Sequence, residues 1–265
     1  MPLVLLLPLL ALLLSAAMAV AWLLAQRPGK SGWADTIWSY AVGAAGLLAA
    51  LGSGGRSPLE RRLLVAALVG AWSLRLGSHI LARTLKGKDD PRYLELRTGW
   101  GRRWKFRLFL FLQVQAAAAL VLTIAVLAAA RNPAPAWAWS DWAGAWLLAV
   151  AIAGEAIADR QLRTFTNSPS NKGQINDQGL WGWSRHPNYF FEWLGWCAYP
   201  IIAIGPAADI GWGWIALAGP ALMYVLLVHA SGIPPTEKHM LRSRGAKFRR
   251  YQRRVNAFFP GPPKR

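Results

Sequence analysis

Seven stretches of this 265-residue chain are each apolar over close to the length needed to cross about 30 Å of hydrocarbon. They are 2–25, 33–52, 62–85, 107–130, 138–159, 188–206 and 211–231. Inside a bilayer every backbone N–H and C=O needs a partner within the protein, and a helix supplies it from the segment itself. The expected fold is therefore all-α: an integral membrane bundle of about seven transmembrane helices in a single membrane domain over 1–265. A composition of 54% hydrophobic residues with 16 Trp agrees. Ala17-Met18-Ala19 resembles a cleavage site, but no basic segment precedes it and the apolar run is too long for a leader. The first run is read as a helix.

The net charge of +18 could suggest nucleic acid as a partner. The placement of the charges favours another reading, in which no nucleic acid is bound. Basic residues crowd into 86–106, 160–187 and the tail, while 53–61 and 131–137 hold few and 207–210 none. An N-terminus outside and a C-terminus in the cytosol put nearly all of this charge inside, the usual bias of multi-pass proteins. A location of the bacterial inner-membrane type is expected. After Pro234-Pro235, the residues Leu241, Phe248, Tyr251 and Val255 recur at helical spacing among Arg and Lys. That pattern predicts a C-terminal amphipathic helix lying along the inner face, with membrane lipids as its partners.

Charged groups at membrane depth are costly and usually functional. Here they share one depth. Asp35 lies near the inner end of span two. Arg75, His79 and Arg83 are four apart on span three, and Glu155, Asp159 and Arg163 repeat that spacing on span five. Asn188 and Glu192 open span six, and His229 closes span seven. The expectation is a polar cavity open to the cytosol, with basic loops suited to phosphates at its mouth. No GxGxxG or GxxxxGK[ST] run is present, so a nucleotide would be held without a Rossmann or P-loop unit. The single Cys197 and four scattered His give no metal-ligand spacing, and no metal is expected.

Several motifs carry a resemblance: Asp159-Arg160-Gln161, Ser170-Asn171-Lys172-Gly173, Gly179-Leu180-Trp181, and Ser184-Arg185-His186-Pro187-Asn188-Tyr189-Phe190-x-Glu192. So does Asp90-Pro91-Arg92-Tyr93 with Leu96-Arg97 and Trp100-Gly101. Together they resemble the DUF1295 group of the steroid 5-alpha-reductase C-terminal family over roughly 30–262. The resemblance implies a membrane reductase that uses NADPH to saturate a carbon–carbon double bond next to a carbonyl. It implies a lipophilic, steroid- or isoprenoid-like small molecule entering from the bilayer. By motif, Asn188 and Glu192 would hold the nicotinamide end. Arg185 and Lys172 would meet phosphates. Asp90, Arg92, Tyr93, Asp159, Arg163, His186, Tyr189 and Glu237 complete the expected cofactor-binding set.

Two departures matter. The family's Gln-Glu pair in the second helix is replaced by Asp35 and Thr36, and the Tyr of its third helix by Ile80, in His79-Ile80-Leu81-Ala82-Arg83-Thr84. Asp35 and His79 are the nearest replacements for the missing proton donor, since a His can titrate near neutrality. Two other readings stay open. The Arg-His-Pro-x-Tyr block, with Glu237 and Phe248-Arg249-Arg250-Tyr251, also echoes isoprenylcysteine carboxyl methyltransferases, which use S-adenosylmethionine. A non-catalytic lipid-binding protein is the other.

Overall fold

The computed structural model describes residues 1–52, 57–86, 91–205 and 210–264. In chain order the helices are α1 (Leu3–Ala25), α2 (Trp33–Gly52), α3 (Leu59–Thr84), α4 (Pro91–Trp100), α5 (Trp104–Ala130) and α6 (Trp139–Asn167). They continue with α7 (Pro187–Trp196), α8 (Ala198–Ala203), α9 (Ile210–Gly213), α10 (Ala218–Tyr224), α11 (Ile233–Arg244) and α12 (Ala246–Arg254). A π-helical turn, Val225–Ala230, links α10 to the Ser231-Gly232 bend ahead of α11. Among the described residues there is no strand, only an isolated bridge between Ser184 and Asn256.

Six helical stretches among the described residues are long and apolar enough to span a membrane: Leu3–Ala25, Trp33–Gly52, Leu59–Thr84, Arg92–Ala130, Trp139–Asn167 and Trp214–Arg244. On α1 the buried residues Leu6, Leu10, Leu14 and Met18 form one stripe, while Val4 and Leu12 are 76% and 66% exposed. Apolar side chains presented this way along long apolar helices suit lipid, not water. The protein is an all-α, multi-pass membrane protein.

The expected span 188–206 has a different form. It is helical in two pieces, because the ring of Pro200 would collide with the carbonyl of Trp196, where α7 ends. Much of the expected loop 86–106 is helical too. Pro91 opens α4 and Gly101, at φ +53°, stands just past its end. Helix α6 continues past 159 to Asn167 and stops at Ser168, whose extended backbone suits a residue before proline. In the tail Pro234 and Pro235 begin α11 rather than precede it. Gly245, at φ +50°, separates it from α12.

The chain forms two compact units, one of Met1–Ala145 with Tyr199–Gly219 and one of Trp146–Ala198 with Pro220–Arg265. In the first unit α2 and α3 pack closely through small residues. A Cβ on Gly43 would lie 2.1 Å from the Ser73 hydroxyl, and one on Gly77 would lie 2.7 Å from the Tyr40 ring. Small residues let helix backbones approach where apolar burial alone gives little drive. The first turn of α3 is tied to the start of α6 by Arg61. Its Nε and Nη2 donate to the two Asp141 carboxylate oxygens at 2.7 Å each. The remaining donors go to the carbonyls of Asn132, Ala134 and Pro135. All five guanidinium N–H groups are used, at about 1% exposure.

In the second unit the tail folds back on the protein. Phe248, Tyr251 and Val255 are buried against Ile175, Met240 and Leu241. The apolar face predicted for the membrane surface is covered from within, and Lys247, Arg249, Arg250, Arg253 and Arg254 face outward.

Candidate functional site

The segment between α6 and α7 is short of regular structure, so side chains and turns satisfy its backbone. Gly179, at φ +58°, opens a 3-10 turn. The Gln161 carbonyl accepts from Leu180 N at 3.0 Å, and the Trp181 indole donates to Ala158 O at 3.0 Å. The C-terminal segment laces onto this turn. Ser184 Oγ donates to Phe258 O (2.8 Å), Arg185 N to Asn256 O (2.8 Å), Gly261 N to Trp183 O (3.0 Å) and Tyr251 Oη to Trp181 O (2.5 Å). Burial pushes the Tyr251 phenol well above its ordinary value, which keeps it a donor at any physiological pH.

Glu237, on the first turns of α11, is the centre of this stitching. Its Oε1 accepts from Arg185 Nε at 2.7 Å and pairs with His186 Nε2 at 3.1 Å. Its Oε2 accepts from Gln252 Nε2 at 2.7 Å. Arg185 also donates to Val255 O (2.6 Å) and Gln252 O (3.2 Å). The His186 ring stacks on Tyr189, with centroids 5.4 Å apart and planes 6° apart. Burial holds the His186 imidazole below its ordinary value, although Glu237 pulls it the other way. The neutral ring then donates from Nε2 to the carboxylate.

Beyond Pro187, which starts α7, Asn188 Nδ2 lies 3.4 Å from Asp159 Oδ1 on α6. One turn later Glu192 accepts from the Trp196 indole at 2.9 Å. Asp159, Glu155 and Glu192 are all buried. The second unit thus brings together Asp159, Arg185, His186, Asn188, Tyr189, Glu192 and Glu237 of the expected set. Arg163 and Lys172 stand exposed, and their side chains have no partner among the described residues.

The first unit brings together three more. Asp35, in the first turn of α2, pairs with Arg92 and accepts from the Tyr93 phenol at 2.9 Å. Tyr93 is buried, and beside it a cavity of about 20 Å³ is lined by Ser31, Arg27, Arg97, Trp100 and Trp104. That is room for one water. His79 and Arg75 are half-buried on α3, and Arg83 is exposed. His229 is exposed, its ring against Tyr224. Asp90 lies outside the described residues.

A family model matches residues 21–255, nearly the whole chain, and carries the description "Protein of unknown function (DUF1295)". The chain belongs to DUF1295. Neither the comparison with curated proteins nor that with solved structures returned a match. The matched range contains the expected motif blocks, whose Ser184–Glu192 portion supplies the turn and the first half of α7.

Sequence reasoning missed Gln252 and the Arg61–Asp141 pair. Gln252 had a signal. It shares the face of Phe248, Tyr251 and Val255 as the one uncharged amide within a run of arginines. Arg61 was read as a loop charge, because its partner lies 80 positions away and no local pattern joins them.

Proposed function

We propose that this DUF1295 protein is an NADPH-dependent membrane reductase that saturates a double bond conjugated to a carbonyl in a lipophilic substrate. The observation that carries the reading is Asn188, at the start of α7, against Asp159 of α6, with Glu192 one turn along α7. A carboxamide needs donors and acceptors together, and an amide flanked by buried carboxylates offers both.

The residues fit NADPH in part. Asn188 and Glu192 suit the nicotinamide amide, and Lys172 and Arg163 are available for phosphates. Arg185 is less suited to phosphate, being committed to Glu237 and two carbonyls. When bound, the cofactor supplies the hydride. The protein's own part is to fix that group, exclude water and deliver a proton. We assign the proton to His79; Asp35, its expected assistant, is engaged by Arg92 and Tyr93. His79→Phe is then expected to keep NADPH bound and lower turnover by about 10²–10⁴-fold on a substrate the parent reduces. An unchanged rate would leave His79 structural.

Methyl transfer stays the second reading, because Glu237, Arg185 and His186, three residues of its motif, do meet. Thermal unfolding of the purified protein separates the two, since a ligand stabilises only the protein that binds it. NADPH should raise the midpoint and S-adenosylmethionine should not; the reverse outcome selects the transferase. The same reading keeps the N-terminus outside and the C-terminus cytosolic. Removal of Arg61 from the count of free outer charges, through its pairing with Asp141, strengthens that asymmetry.

A further inference from the structure

On the second unit a groove of about 540 Å³ runs along α6, and no residue of the hub or of the Asn188 contact lines it. Its floor is Gly154, Ile157 and Gln161, which follow one helix face over about two turns. Its walls are Phe191, Leu180 and Trp183. The Phe191 ring lies so close that a Cβ on Gly154 would come within 2.4 Å of it, so the glycine makes this end shallow and smooth.

The two ends differ in chemistry. Around Gly154, Ile157 and Phe191 the surface is apolar, and Ile157 is 51% exposed. At the other end the Gln161 amide is held by its oxygen, which accepts from Leu180 N. Its NH₂ has no partner among the described residues. Arg160, next to Gln161 and one turn from Ile157, is exposed, and its guanidinium has no partner among them either. Trp183, 53% exposed, stands at the wall, a residue type that favours the membrane–water boundary. Among the described residues no carboxylate lines the groove.

An apolar trough on a membrane-spanning helix that ends at the Gln161 amide, with the exposed Arg160 cation on the neighbouring residue just outside the lining, matches an amphiphile with a negative head. We propose that this groove is a specific site for an anionic phospholipid. One acyl chain lies on Ile157 and Phe191, and the phosphate region meets Gln161 Nε2 and the Arg160 guanidinium. Arg suits the phosphate because its planar fork can donate twice. The inference does not depend on the reductase reading, since it uses none of the residues assigned there.

The test is native mass spectrometry of the full chain, delipidated in detergent and titrated with phosphatidylglycerol or phosphatidylcholine. The parent should retain one phosphatidylglycerol, and retain it more strongly than phosphatidylcholine. Ile157→Trp, which fills the trough, should lose that lipid by about tenfold or more in apparent affinity. Arg160→Gln should keep the chain contact and abolish the preference for the anionic lipid. Circular dichroism and gel filtration establish that both variants are folded, and Arg160→Gln is a surface change that should not disturb the fold. Equal retention by parent and folded Ile157→Trp would overturn the proposal. So would an anionic preference unchanged in Arg160→Gln, or loss of binding in Ile157→Trp accompanied by conversion of a parent dimer to monomer, which would assign the groove to a second copy.

Discussion

Two of the arginine–carboxylate pairs among the described residues lie away from water, and they are built differently. Arg61–Asp141 is at 0% and 1% side-chain exposure, bidentate, with every guanidinium N–H satisfied. Arg185–Glu237 is at 11% and 13% exposure, and its carboxylate is shared with Gln252 and a titratable His186. The first arrangement is closed: every guanidinium N–H is used, and Asp141 also accepts from Ala138 N. The second is a junction, with one carboxylate joining α11, α12 and the turn before α7. A saturated pair suits a structural staple, and a shared one suits a place where binding and protonation can be felt.

The largest effect should come from opening the closed pair. Arg61→Ala leaves Asp141 buried without its cation, so a loss of about 3–5 kcal/mol is expected, read as a strongly lowered unfolding midpoint in detergent. Replacing both partners, Arg61→Leu with Asp141→Leu, should cost less than either change alone. A double variant worse than the singles would mean the pair does more than cancel its own charges. Breaking the junction should cost less. Glu237→Gln keeps an acceptor for Arg185 but loses the charge, and about 1.5–3 kcal/mol is expected, with faster proteolysis of the tail beyond Gly245. An unchanged tail would show that the Ser184 and Arg185 contacts to residues 255–258 hold it unaided.

The smallest effect is one of pH. His186 sits below its ordinary value of about 6.5 because burial penalises its charged form. Below that value the unfolded chain binds a proton that the folded one resists, so stability falls as pH drops from about 6.5 toward the lower folded value. The parent's unfolding midpoint should therefore decline in that window more than the midpoint of His186→Gln does. Parallel curves would mean His186 titrates as it does in the unfolded chain.

How far the sequence anticipated this varies with the range of the interaction. Helices with local signals were legible: the long apolar runs of α1 to α3, and Asn188 and Glu192 sharing a face of α7. The Arg185-His186 block was expected at cofactor phosphates, and its tie to Glu237 was not anticipated. The break at Cys197 was not anticipated, although Pro200 is a visible cause, because the apolar run outweighed one proline in the reading. The cover on Phe248, Tyr251 and Val255 was hidden for another reason. An amphipathic helix shows which face is apolar, but not whether lipid or Ile175, Met240 and Leu241 will meet it. Asp35 was singled out by its depth, while its partners Arg92 and Tyr93 were assigned elsewhere, since pairing over 57 and 58 residues leaves no trace in local spacing.

The reductase reading stands on Asn188 and Glu192, and NADPH titration of the purified parent, Asn188→Ala and Glu192→Ala tests it most directly. The account predicts saturable binding to the parent. Each alanine variant should then weaken it by about 1–3 kcal/mol, or about 5- to 150-fold in Kd. Unchanged affinity in both folded variants, or no NADPH binding by the parent at all, would contradict it.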